Sequence, residues 1–457
     1  MSANLNSCCG RGVLALKTRK ILLAVFTALI AFGLLGCLRI MADELYRLPR
    51  ASEEYLKLQQ QIYSILSDGA EFAPPHGGPN RQAVQFVDLD GDGENEVIAF
   101  FSVPHEGTLK IYIFRMVDGD YVVADVIEGV GTAIESIRYV DMDGDGVKEL
   151  IVGWQMGAAL KHMAIYSIRD FEHVLLASAE YTTITVYDMT GDGTEDVVVT
   201  RLPTPETGAV AELFILMADG EMVSREARLS NGIEAITGVL TGSLTDGAPA
   251  IFIESEGRFD YGAIVTDVCT FKDGSFENVS LRAPVNISLT TVRDRVDSAD
   301  ITRDGIISVP TLRRLQAQSE TDYYVLDWYA FNSHGQTRLI LTTYHNNFDG
   351  WYLILPFNWR GRVSVRREDA VPGERTVIFS HIAGEEGSFE DFLKVHRLTG
   401  NLGRQRAELP GRTVLTTDGD SIFAFEIIAE PNSLGLSFDE DLIKANFRLI
   451  RSDWLSE

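Results

Sequence analysis

Cysteine is scarce in this chain of 457 residues: there are four, Cys8, Cys9, Cys37 and Cys269. Only Cys269 lies beyond the N-terminal segment, which excludes an internal disulfide framework. Basic residues are also short. Forty Lys and Arg stand against 66 Asp and Glu, a formal net charge of −26, and nucleic-acid binding, which needs clustered cations, is set aside. The eight histidines show no H-E-x-x-H or comparable zinc spacing. A G-x-S-x-G nucleophile turn and a Walker loop are absent as well.

What is present begins with one long apolar run, "ILLAVFTALIAFGLLG", preceded by Lys17, Arg19 and Lys20. A basic segment followed by an apolar one reads as a secretory signal rather than part of the fold. The run ends in Leu34-Leu35-Gly36-Cys37, which resembles the lipobox of bacterial lipoproteins. That resemblance implies diacylation of Cys37, which becomes the first mature residue. The alternative extends the run through "CLRIM" as an uncleaved anchor, since roughly 20 apolar residues span a bilayer. Either reading places residues from 42 onward on the extracytoplasmic face of a bacterial cell membrane.

The acidic charge is concentrated in repeated loops. "VDLDGDGENEVIAFF" puts Asp88, Asp90, Asp92 and Glu96 at relative positions 1, 3, 5 and 9, with Gly91 and Gly93 between them. Alternate carboxylates converge only where the backbone curls, and glycine permits the curl by accepting positive φ. Converging carboxylates repel unless a hard cation sits among them, and calcium prefers six to eight oxygen ligands. The backbone carbonyl of Glu94, at position 7, adds another oxygen. The pattern recurs with Asp141, Asp143, Asp145, Val147 and Glu149, and again with Asp188, Thr190, Asp192, Thr194 and Asp196. These three sets are the candidate Ca2+ ligands. An EF-hand is excluded because position 12 holds Ala99, Val152 and Val199, where a bidentate acid is needed, and because the flanks read as strands.

The loops start roughly 50 residues apart, the period of propeller blades. Two degenerate copies follow. At 242–250 only Asp246 and Gly247 stay in register, so its metal is expected to be lost, while the copy at 300–308 keeps Asp300, Thr302 and Asp304. Each period continues with a hairpin, turned by Asp118-Gly119, Asp219-Gly220 or Asp273-Gly274. Four antiparallel strands per period define an all-β fold, a β-propeller. Residues 80–319 are assigned to its blades. Residues 320–457 carry further strands, read as two more blades to make seven, or as a C-terminal α+β module after five. Residues 37–79 form a lipid-anchored segment with a short N-terminal helix capped by Ser52, with apolar positions Tyr55, Leu58, Ile62 and Ile65 or Leu66, and a linker; residues 1–36 are the signal.

The D-x-D-G-D-G-x-x-[DE] loops between an apolar strand and an apolar run resemble the FG-GAP, or integrin-alpha-like, repeats and their bacterial VCBS relatives. The resemblance implies propeller blades with calcium between the first and second strands. No catalytic residue is assigned, and no enzyme is expected. The expected role is a membrane-anchored module binding a protein or glycan; the alternatives are a calcium-dependent polysaccharide lyase or hydrolase and a structural envelope component. Trp328, Trp351 and Trp359 are read chiefly as strand core and otherwise as a sugar-stacking platform.

Overall fold

A computed structural model describes residues 53–450 apart from 130, 259–262, 284–285, 292–295, 319 and 385–387. Cys37, Ser52 and the apolar run before them lie outside the described residues. The chain divides into two compact units, residues 1–68 with 116–122, and residues 69–115 with 123–457.

The described part of the first unit holds the helix Glu53–Ser67 and the tip of one hairpin. Lys57 of the helix forms an ion pair with Asp120 of that tip. Leu58 is buried and Ile62, Ile65 and Leu66 are half-buried, as the helical spacing predicts. Tyr55 is exposed, contrary to expectation. Tyr55 lies on the same face as Leu58 and Ile62, so its exposure comes from its place near the helix start and not from the spacing. No helix among the described residues is long and apolar enough to cross a membrane.

The second unit is built from antiparallel sheets that follow one another along the chain. In the first, Val84–Val87 pairs with Glu96–Val103, which is followed by Thr108–Val117 and Asp120–Gly129. The short strand Glu71–Phe72 pairs with the far end of Glu96–Val103. The second sheet orders Ala133–Val140, Glu149–Gln155, Lys161–Arg169 and Glu172–Glu180. The third orders Thr183–Tyr187, Asp196–Arg201, Val210–Leu216 and Met222–Arg228, and the fourth Ile233–Ser243, Pro249–Gly257, Ile264–Lys272 and Ser275–Asn278. The four main strands of each form a meander, because a turn of a few residues suffices to join antiparallel neighbours; in the fourth, Leu289–Thr291 also pairs with Ile264–Lys272.

Apolar clusters fill the space between consecutive sheets. Ile98, Phe100 and Ile111 of the first pack with Leu150, Val152 and Trp154 of the second. Ile151 and Met163 then pack with Val197 and Phe214 of the third, whose Val198 and Leu213 meet Ile251 and Ile253 of the fourth. Neighbouring residues of one strand thus serve two different cores, which is why the second strands read as unbroken apolar runs rather than alternating ones. Sequential four-stranded sheets stacked face to face are propeller blades, and the fold is all-β.

The C-terminal strands enter two further sheets. Ser308–Arg314, Tyr324–Phe331, Thr337–Asn346 and Trp351–Leu355 form the fifth, extended by Phe447–Leu449. Val363–Val371, Glu374–Ala383, Ser388–Leu398, Ser421–Ile427 and Arg412–Asp418 form the sixth. Six sheets are thus seen among the described residues, and a seventh is not among them. The fifth acidic loop is offset: it precedes the first named strand of its sheet, joined across its base by the isolated bridge Ala299 to Ser308. Trp328, Trp351 and Trp359 are fully buried, which removes them as a stacking platform.

Candidate metal centre

Each of the first three acidic loops joins the first and second strands of its sheet. Position 2 anchors the loop from below, since Leu89, Met142 and Met189 are all buried. The position 1 aspartate organises the curl: Asp88 accepts from Gly91 N at 2.8 Å and Gly93 N at 3.1 Å. Asp141 does the same with Gly144 N at 2.7 Å and Gly146 N at 3.0 Å, as does Asp188 with Gly191 and Gly193. Both glycines of every loop have left-handed φ, 74° and 89° in the first, where a Cβ would be strained.

The position 9 carboxylate closes the loop from within the sheet. Glu96 Oε2 accepts from Leu89 N at 2.8 Å, and Glu149 Oε2 from Met142 N at 3.1 Å. In consequence Asp88, Asp90 and Glu96 bring carboxylate oxygens within 4.8 Å of one another, and Asp141, Asp143 and Glu149 do likewise. Asp92 and Asp145 are outside these two closest groups; their Oδ1 atoms accept from Glu94 N and Val147 N. Among the described residues no third set of acids is so close. The third loop differs because Asp196, one methylene shorter, spends Oδ2 on both Met189 N and Thr190 N. Thr194 also donates its hydroxyl to Asp192.

The electrostatics follow from that crowding. Burial pushes the Glu149 carboxyl up to about 7, with Asp143 and Asp145 adding to the rise. Burial raises Glu96 in the same way, reinforced by Asp90 and Asp92. Asp196 is pushed up to about 6, mainly by burial. Negative charge packed this tightly, with desolvation on top, favours any cation that can reach the oxygens.

The residues present fit a hard divalent ion. Glu149 Oε1 is buried and has no hydrogen-bond partner, and an all-oxygen donor set of this kind suits calcium or magnesium rather than a soft metal. The first two loops also touch. Lys148 N donates to Leu89 O at 2.7 Å, and a Cβ on Gly91 would lie 2.6 Å from the Gly146 carbonyl oxygen. A cleft of about 340 Å³ opens beside them, lined by Asp90, Asp145, Arg169 and Phe171 among others.

Two residues outside the repeated pattern shape these loops. Arg169, in the second sheet's third strand, reaches Asp143 Oδ2 at 3.1 Å and Asp145 Oδ2 at 3.3 Å. Ser333, in a turn of the fifth sheet, donates its N–H and hydroxyl to Asp246 Oδ2 of the degenerate fourth loop, at 3.0 and 2.7 Å. Nothing in the loop motif signals either partner. The degenerate loop at 300–308 keeps its curl through Asp300, which accepts from Asp304 N and Gly305 N. Arg303 stands at position 4, with φ of 60°, where the first three loops have glycine.

Serial antiparallel blades, the first three with an acidic loop between their first and second strands, define a β-propeller with acidic loops. Consistent with this, residues 88–152, which span the first two loops, match the family model of the FG-GAP-like repeat. No curated protein matches the chain. The similar solved structures include two at low identity. One is a protein from Lactobacillus plantarum, 10% identical with a TM-score of 0.29, covering 70% of this chain and 85% of its own. The other is Saccharomyces cerevisiae Sqt1, 9% identical with a TM-score of 0.30, covering 78% and 96%.

Proposed function

We propose that the protein is a calcium-braced propeller, carried on a lipid at Cys37 outside the cytoplasm, that presents blade loops to a protein partner and has no catalytic activity of its own. The observation that carries the calcium reading is the bare, buried Glu149 Oε1 beside Asp141 and Asp143. Asp88, Asp90, Asp92 and Glu96, with the Glu94 carbonyl, would hold one ion, and Asp141, Asp143, Asp145 and Glu149, with the Val147 carbonyl, a second. Asp188, Thr190, Asp192, Asp196 and the Thr194 carbonyl form a third, less acidic set. Each ion offsets part of its loop's negative charge and draws together carboxylates that otherwise repel one another. Burial of the three tryptophans removes them as a sugar platform, and a repeat fold with variable surface loops suits a protein partner.

The test uses the full-length protein, melted in millimolar calcium and in chelator, with metal analysis and intact mass on the same preparation. Two or three bound ions and a large calcium-dependent rise in melting temperature are expected, with a mass carrying acyl chains at Cys37. Identical melts and no bound metal would leave the loops as acidic turns; an unacylated mass would remove the lipid anchor.

A further inference from the structure

The first two loops share their sequence pattern and their backbone hydrogen bonds, but differ in one contact. In both, the aspartates at positions 3 and 5 give Oδ1 to the backbone N–H two residues on. Asp92 N donates to Asp90 at 3.2 Å and Glu94 N to Asp92 at 2.7 Å; Asp145 N donates to Asp143 at 3.3 Å and Val147 N to Asp145 at 2.8 Å. That leaves Oδ2 of each for another partner. In the first loop, among the described residues, no basic side chain is within ion-pair distance of Asp88, Asp90, Asp92 or Glu96. In the second, Arg169 Nη2 occupies Oδ2 of both Asp143 and Asp145.

We propose that Arg169 is the resident counter-cation of the second loop and that a divalent ion must exchange with it. This rests on the calcium reading above. The guanidinium sits on the oxygens that an ion in this loop would need, and one cation cannot share both carboxylates at full strength with another of like charge. Asp143 is almost wholly buried while the Arg169 side chain is about half exposed, so the arginine is the mobile partner. It also lines the open cleft beside Phe171, which gives it space to withdraw. The first loop therefore depends on an ion for its counter-charge and fills first. The second holds its shape without one and binds more weakly, so its occupancy responds to calcium over a higher range.

The experiment is a calorimetric calcium titration of metal-stripped, full-length protein, comparing wild type with Arg169→Gln. The second loop's heat is identified by its loss in Asp141→Asn. Wild type should show a tighter and a weaker class of site. Arg169→Gln should tighten the weaker class about three- to tenfold, the range expected when a partly exposed pair of ion contacts is removed, and leave the tighter class in place. In chelator the same variant should melt about 1–2 °C lower than wild type, and saturating calcium should erase the difference. An unchanged or weakened second site in Arg169→Gln would overturn the exchange while leaving the ion sites standing. No calcium heat in wild type would overturn the ion reading and the exchange with it.

Discussion

Glu149 in the second sheet and Asp267 in the fourth are both buried carboxylates, and burial raises both. Their partners differ. Asp267 accepts from Ser230 N and Ser230 Oγ, from Asn278 Nδ2 and from Ser288 Oγ, so each oxygen is satisfied by the chain itself. Glu149 accepts from Met142 N alone, and its other oxygen has no partner. The two sheets share one topology but handle charge in opposite ways. Where the loop has lost its acids, as at Gly242, Leu244 and Ala250, the buried charge of Asp267 is carried on hydroxyls and amides. Where the loop keeps them, the fold leaves charge for something outside the chain to neutralise.

Glu149→Gln breaks this comparison most strongly. The amide keeps an acceptor for Met142 N–H but removes a charged ligand. With calcium a hundred- to thousandfold above its dissociation constant, loss of one ion costs about 3–4 kcal/mol of stability. In chelator the same change should be neutral or stabilising, because it deletes a desolvated charge that the chain does not pair. Denaturant unfolding in both conditions reads the sign directly. A loss of equal size in chelator would mean that Glu149 braces the loop unaided. Asp267→Asn should behave otherwise: its amide nitrogen must face one of four donors, leaving a buried group unmatched at about 1–3 kcal/mol. That penalty should be the same with and without calcium.

The legible parts of this molecule were those encoded locally. Each acidic set spans nine residues, so its spacing, glycines and flanking strands could be read from one stretch of sequence, and Asp118-Gly119 and Asp273-Gly274 do adopt the paired positive φ of tight hairpins. The strands after residue 320 were also visible from apolar patterning. Arg169 was not, because it reaches its acids from 24 and 26 residues away, nor was Ser333, which is 87 residues from Asp246. The return of Phe447–Leu449 to the fifth sheet likewise depends on a pairing that no local pattern reports. The turn at Asp170-Phe171 lacks the usual glycine, yet both residues have positive φ, 52° and 59°, so the hairpin there carried no Asp-Gly signal.

The smallest expected effect sharpens the comparison at the fourth loop. Ser333→Ala removes one of the two donors to Asp246 but leaves the Ser333 N–H in place, and Asp246 is open to water, so the loss should be about 0.5–1 kcal/mol. The pH dependence has a definite sign. Although burial pushes Asp246 upward, the hydroxyl and N–H of Ser333 outweigh it and hold the carboxyl below its ordinary value of 3.8. A depressed acid contributes stability that is present above its unfolded value and lost as pH falls through its folded one. The Ser333→Ala penalty should therefore be full at neutral pH and disappear in acid below pH 3.8. It should also be indifferent to calcium. If calcium instead enlarged or abolished the penalty at neutral pH, the fourth loop would be sensing an ion despite its missing acids, and the division proposed between sheets that need an ion and sheets that satisfy their own charge would fail at the point where the sequence draws it.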